Sequence, residues 1–280
     1  MPPILILGLT GQVGDALDTT ALPAPAIALS RQADPGPRPG VAWARADLVD
    51  YQGGGPFDAV LSFGPLDALA SALSEGRLRA RHVVALSSTS RWTKSGSPDV
   101  RERALAARLA DAERMVEGLQ ARSGGFATLL RPTLVWGAGR DATVSRVAGW
   151  ARRWPLLALP VTAPGRRQPV HVGDLAAVAL RALSLGRGAS GAHDLPGGEA
   201  LAFGLMLRRS VAAAAPACRV LPLPWRPLAA LGRGLGSGAL ARLGEDLVFD
   251  AGPARDTLGW APRGFAPGAH ELVRPGAPPA

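Results

Sequence analysis

The sequence predicts an α/β protein built on a parallel sheet, and three observations carry the prediction. Short β-like runs alternate with helical patterns along most of the chain. A glycine-rich turn, Gly8-Leu9-Thr10-Gly11-Gln12-Val13-Gly14, directly follows the first apolar run. With 280 residues, 47% of them hydrophobic, the chain can bury one substantial core.

The elements read in order as follows. Ile4–Leu7 is the first strand, residues 12–17 open a helix, and Ala26–Ser30 is the second strand. Residues 35–40 form a turn-rich loop, and 57–62 and 82–87 are further strands. Residues 101–119 are a long helix of good helix formers, closed by Ser123, Gly124 and Gly125, and 126–130 is the next strand. Past Pro132 the rhythm loosens. Residues 144–154, 172–183 and 200–213 read as helices, with Asp174 as the N-cap of the second, and 193–195 is a short extended piece. Trp150 and Trp154, four apart, are expected to pack on one helix face. No linker separates independent domains. Residues 1–280 read as one unit: 1–135 mainly core, 136–265 mainly a small C-terminal substrate lobe with interleaved core elements, and 266–280 a loose tail rich in Pro, Gly and Ala.

Charge and composition narrow the partners. The formal charge is +9, and Lys94 is the only lysine. From 131 to 170 the chain places seven arginines against one acid, Asp141. A focused positive field attracts anions, so a small anionic substrate is expected, with Arg140, Arg167 and His171 as candidate contacts. A solvated basic face and a structural histidine are the bland alternatives. No nucleic-acid-binding motif accompanies the arginines. No Cys/His cluster has metal-ligand spacing, and the single Cys218 cannot form an internal disulfide. No signal peptide and no run of 18 or more apolar residues is read, so a cytoplasmic protein without an integral membrane segment is expected. Residues 226–243 carry Leu228, Leu231, Leu235 and Leu240 beside Arg226, Arg233 and Arg242. They read either as a peripheral membrane contact or as packing within the lobe.

The glycine turn carries the sharpest chemistry. A tight turn after a buried strand needs residues tolerant of positive φ, and close approach of a pyrophosphate excludes Cβ atoms. A strand before it and a helix after it define the Rossmann-type, doubly wound arrangement. Gly8, Thr10, Gly11, Gln12, Val13 and Gly14 are therefore candidate dinucleotide contacts. An acid at the end of strand two would bind a ribose 2′-hydroxyl and select NAD. This chain has Ser30-Arg31 there and no acid before Asp34, which points to NADP(H).

Further segments follow in a recognisable order: Asp47-Leu48, Ser62-Phe63-Gly64-Pro65, Leu86-Ser87-Ser88-Thr89-Ser90, Leu130-Arg131-Pro132, Pro169-Val170-His171-Val172-Gly173-Asp174 and Asp194-Leu195-Pro196-Gly197. Together with the glycine turn they resemble the atypical or extended short-chain dehydrogenase/reductase superfamily, in its NAD(P)-dependent epimerase/dehydratase branch, over roughly residues 3–265. The resemblance implies that Asp47 and Leu48 lie near the adenine. It implies that Phe63, Gly64, Pro65 and Pro132 border the cofactor, and that Ser88 is the active-site serine. It also implies a Tyr and, four residues later, a Lys that together supply the proton. Here those positions are Leu105 and Leu109. The only tyrosine, Tyr51, falls on the adenine side, and Lys94 falls in the loop after strand five. Two functions stay open. One is an NADP(H)-dependent oxidoreductase or epimerase-like protein acting on an anionic substrate such as a nucleotide-sugar. The other is a non-catalytic dinucleotide-binding sensor or assembly subunit.

Overall fold

The computed structural model describes residues 3–273. Its central sheet has seven strands: β1 (Ile4–Leu7), β2 (Ala26–Ser30), β3 (Val41–Arg45), β4 (Gly54–Ser62), β5 (Leu78–Leu86), β6 (Phe126–Pro132) and β7 (Gly191–Leu195). They lie in the order β7-β6-β5-β4-β1-β2-β3, and every pairing is parallel. The order runs outward from β1 in both directions, so the topology switches between β1 and β4. Nine α-helical segments are described: α1 (Leu66–Ser74), α2 (Ser90–Thr93), α3 (Val100–Arg122), α4 (Val144–Arg153), α5 (Val172–Leu185), α6 (Phe203–Ala214), α7 (Trp225–Gly234), α8 (Gly238–Ala241) and α9 (Gly252–Leu258).

Strand alternation divides the core into two layers. Ile4 and Ile6 pack with Leu175 and Ala179 of α5 and Leu258 of α9. Leu5 and Leu7 belong to the other layer, with Leu66 and Leu69 of α1 and Val116 of α3. A third cluster forms the C-terminal lobe, where Trp136, Val147, Met206 and Phe265 bury one another around α4 and α6. The doubly wound sheet with a smaller C-terminal lobe agrees with the sequence reading.

Several local expectations are corrected. Residues 12–17 form no α-helix. A single 3-10 turn, Gly14–Ala16, is followed by another at Thr19–Ala21. The poor helix formers Asp18, Thr19 and Thr20 and the prolines at 23 and 25 leave no room to continue it. Pro35, Pro37 and Pro39 likewise leave the β2–β3 connection without a helix. The cap of α5 is His171, whose Nδ1 accepts from the Gly173 amide at 3.0 Å, and not Asp174. Asp174 instead accepts from the Arg263 backbone and side chain, both at 3.0 Å. Trp150 on α4 and Trp154 at its C-cap are exposed, each under an arginine, Arg146 and Arg153 respectively. Residues 226–243 divide their face: Leu228 and Leu240 pack on Ala229 and Leu243, while Leu231 and Leu235 are exposed. The first part of the expected tail is anchored, since Leu272 is buried. The rest of that tail, 274–280, lies outside the described residues. Helix α1 and edge strand β3 were not read from the sequence.

One polar cluster locks the sheet to its longest helix. Glu113 on α3 is fully buried and accepts from Arg131 at 2.9 and 2.6 Å. The Ser87 hydroxyl and Arg91 also donate to it. Burial by itself would raise the Glu113 pKa, but the Arg131 and Ser87 hydrogen bonds outweigh it and hold the carboxyl ionised. Removing one partner of such a pair leaves a buried charge alone. Glu113→Ala is therefore expected to lower unfolding stability by about 3–5 kcal/mol in urea titrations, while Glu117→Ala, exposed on the same helix, should change it by less than about 0.5 kcal/mol.

Candidate functional site

The parallel register brings the C-terminal ends of the central strands to one edge. Leu7 pairs with Ser62, Ser62 with Ala85 and Ala85 with Leu129. The chain therefore leaves β1, β4, β5 and β6 on the same side, where ligand sites of such sheets lie. The glycine loop, Phe63–Pro65, Ser88 and Pro132 all fall on that edge. Thr89 ties two of these exits together, because its amide and hydroxyl both donate to the Pro132 carbonyl at 3.1 Å.

The glycine loop closes on itself. Gly8 has φ +76°, and a Cβ there would stand 3.0 Å from the Gly64 nitrogen. The Gly11 amide donates to the Gly8 carbonyl at 2.9 Å. A Cβ on Gly14 would stand 2.6 Å from Leu9 Cα, and one on Gly11 would stand 2.9 Å from the Gly8 oxygen. Gly11 and Gly14 are thus required by the turn itself. Val13 is buried in the core. The Gln12 Nε2 is buried and has no hydrogen-bond partner. That orphaned donor, beside a tightly turned backbone at the β1/β4 switch, fits a bound dinucleotide.

Charges around the loop come from elsewhere in the chain. Arg140 donates to the Thr10 carbonyl at 3.0 Å and to Asp15 at 3.1 Å, and Arg38 reaches Asp15 at 2.6 Å. Arg140, expected at the substrate, therefore lies at the glycine loop. At the end of β2, Ser30 accepts from the Gln32 amide at 3.1 Å, and the exposed Arg31 lies 3.7 Å from Asp47. Leu48 packs beside Tyr51 on the sheet face away from α5.

Beyond β5 and β6 lies a polar cleft of about 290 Å³. Lys94, Arg167 and Arg242 line it with Glu102, Gln168, Thr133 and Ser90. Arg242 donates to both Glu102 oxygens, at 2.7 and 2.9 Å, and Lys94 lies 3.6 Å away. The Arg242 hydrogen bonds dominate in holding the Glu102 carboxyl down to about 2. Arg167 donates to the Glu245 and Arg242 carbonyls, and burial lowers it to about 10, which leaves it charged at neutral pH. The sequence reading had selected Arg167 and missed the roles of Lys94, Glu102 and Arg242. The uniqueness of Lys94 was the available signal.

His171 serves structure. Besides capping α5, it packs edge-on to Trp136, and its Nε2 stands 3.2 Å from Glu271 without hydrogen-bond geometry. Burial and the Arg263 charge lower its pKa, so the ring is neutral at neutral pH. The mid-chain arginines do not form one patch: Arg131 is consumed by Glu113, Arg166 by Asp246, and Arg146 and Arg153 lie over tryptophans. Leu105 and Leu109 border a pocket of about 220 Å³ with Pro65, Leu66, Asp67 and Arg108. Ser88 accepts from the Ser90 amide at 3.1 Å, which leaves its hydroxyl proton free to donate. Among the described residues no group of three or more His, Cys, Asp or Glu could hold a metal ion, and no helix is long and apolar enough to cross a membrane.

These features define a dinucleotide-binding type of α/β fold with an added C-terminal lobe. No family model and no curated protein matches the chain. Solved structures do match it in fold. UDP-N-acetylglucosamine 4-epimerase from Bacillus cereus aligns with a TM-score of 0.67 at 16% identity, over 97% of this chain and 95% of its own. MoeE5, in complex with UDP-glucose and NAD, aligns at 0.67 and 17%, over 96% and 97%. TunA, an NAD-dependent NDP-hexosamine 5,6-dehydratase of tunicamycin biosynthesis, aligns at 0.66 and 18%, over 97% and 95%. The chain shares the fold of these solved epimerase and dehydratase structures.

The Glu102–Arg242 pair gives the cleft a pH signature. A carboxyl lowered from 4.5 to about 2 contributes stability that is complete above the ordinary value and is lost as pH falls toward 2. Glu102→Gln should unfold more easily than the wild type at neutral pH, and the gap should close between pH 4.5 and about 2 in acid-dependent thermal melts.

Proposed function

We propose that this protein is a nicotinamide-dinucleotide-binding oxidoreductase or epimerase of the short-chain dehydrogenase/reductase type, working on an anionic substrate without the usual Tyr/Lys pair, in the cytoplasm. The observation that carries the reading is the glycine loop turned against Phe63–Gly64 at the β1/β4 switch, with Gln12 offering an unmet donor. Gly8–Gly14 and Arg140 would hold the pyrophosphate, Asp47 and Leu48 the adenine side, and Phe63–Pro65 with Pro132 the nicotinamide side. Bound there, the nicotinamide supplies hydride exchange.

The chain's own residues then do the rest. Lys94 and Arg242 hold the anionic part of the substrate, and Ser88 donates a hydrogen bond that polarises a substrate oxygen, the proton itself coming from water. Nucleotide-sugars are the substrate class suggested by the UDP-glucose of MoeE5. Leu105 and Leu109 can neither give nor take a proton, and a missing general acid costs on the order of 10²–10⁴ in rate. The same two leucines favour a second reading, a dinucleotide-binding sensor or assembly subunit without turnover.

Two experiments test these readings. NADP(H) should bind in preference to NAD(H) in calorimetric titrations, and Arg31→Ala should weaken NADP(H) alone by roughly tenfold. Equal affinity for the two cofactors would remove Arg31 from the site, and the absence of binding to either would overturn the proposal. In the double variant Leu105→Tyr/Leu109→Lys, nicotinamide-dependent turnover of UDP-sugars should rise well above the wild type, while Tyr51→Phe should leave it unchanged. Wild-type turnover abolished by Tyr51→Phe would mean that the proton donor lies elsewhere.

A further inference from the structure

The polar cleft has an apolar neighbour. A cavity of about 340 Å³ lies between α4, α6 and the segment around 239–247, walled by Val147, Leu159, Phe203, Leu207, Leu240 and Leu243. The two compartments adjoin: Leu134, Thr143, Arg167, Ala239, Arg242 and Leu247 line both. At the outer rim stands Trp150, 45% exposed, with the Arg146 guanidinium 5.5 Å from its ring centroid.

The chemistry changes sharply from one compartment to the other. In the first, three cations face a single carboxylate, and Glu102 is already committed to Arg242. The second is walled mainly by aliphatic and aromatic carbon, with Thr143, Arg146, Arg167 and Arg242 as its polar members and no carboxylate or carboxamide side chain. A nucleobase placed there would find donors but, apart from Thr143, no side-chain acceptor for the N–H groups of its polar edge, at about 1–3 kcal/mol for each unmet group. Water gains little in such a space either, because it needs two to four polar partners. An apolar group entering it gains about 25 cal/mol for each Å² removed from water. The volume lies within the range of about 300–1,000 Å³ typical of ligand pockets.

We propose that the substrate is an anionic amphiphile. Its phosphate or carboxylate head is held by Lys94 and Arg242, and its aliphatic or alicyclic tail fills the cavity behind Leu134 and Leu247. The inference rests on the reading of the polar cleft as the site for the substrate's anionic part; it departs from the nucleotide-sugar that MoeE5 suggests and puts a lipid-like tail in place of the nucleoside as the second recognition element.

The test uses the full chain and dodecyl phosphate below its micelle concentration, with inorganic phosphate, dodecanol and UDP-glucose as comparators in calorimetric titration. Dodecyl phosphate should bind once per chain and at least roughly tenfold tighter than inorganic phosphate. Ala142→Trp, which fills the cavity, and Trp150→Glu, which charges its rim, should each weaken dodecyl phosphate by roughly tenfold or more while thermal melts stay unchanged. Lys94→Gln should weaken dodecyl phosphate and leave dodecanol unaffected. Trp154→Ser, at the C-cap of the same helix and outside the cavity, should change nothing. Binding no tighter than inorganic phosphate, UDP-glucose bound more tightly than dodecyl phosphate, affinity retained in both cavity variants, or loss in Trp154→Ser would each overturn the proposal. Titration of NAD(H) and NADP(H) separates the two readings: amphiphile binding without dinucleotide binding sinks the proposed function alone, and the reverse result sinks this inference alone.

Discussion

The Glu113 carboxylate is the constraint on which the site depends. It is buried on α3, yet it reaches the end of β5 through Ser87, α2 through Arg91 and the end of β6 through Arg131. Arg131 in turn lies 3.6 Å from Asp194 on β7. Four elements that border the clefts are therefore held by one ionised group. Such a group is costly to bury and costly to orphan, which makes its geometry strict. Because α3 is held at Glu113, Leu109 and Leu105, about one and two turns earlier, are held at the pocket beside Pro65.

Electrostatics in the molecule are spent locally. The seven arginines between 131 and 170 look like one positive field in the sequence. In the fold most of them are tied to a carboxylate, a carbonyl or a tryptophan face. What positive charge remains available near the clefts comes from residues far apart in the chain, Lys94 and Arg242, which meet across Glu102. The positive charge of the polar cleft is thus a property of the lobe's docking against the sheet, and less of any one segment.

The legible parts of the sequence were those with local physical signatures. Ile4–Leu7 and Phe126–Pro132 are nearly continuous apolar runs, as strands covered on both faces must be. Gly8, Gly11 and Gly14 announce a turn that no side chain would allow. The edge strand Val41–Arg45 is half-buried and carries little pattern. Helix α1 is short, and the 3-10 turn after the glycines looked like a helix because its breakers, Asp18 to Pro25, lie a few residues downstream. Arg167 was drawn toward the substrate by the arginine-rich stretch around it and His171 by its motif; tertiary contacts show His171 capping a helix, while Arg167 lines the polar cleft and also donates to the Glu245 and Arg242 carbonyls. Glu102 and Arg242 are 140 positions apart, and nothing local in the chain signals their meeting.

The shortness of the turn after the glycine loop has a consequence for how the crevice handles charge. A long helix there would aim a permanent dipole at whatever sits in front of it, largely indifferent to the composition of the surrounding water. Three residues of 3-10 turn, Gly14–Ala16, supply almost none of that. In its place stand two guanidinium groups, Arg38 and Arg140, already leaning on Asp15. An anion arriving at the loop must compete with that aspartate, and dissolved ions compete with both at distances near the Debye length. Attraction in this crevice is therefore adjustable: it strengthens in dilute salt, fades in concentrated salt, and can be withdrawn by a small rotation of two side chains.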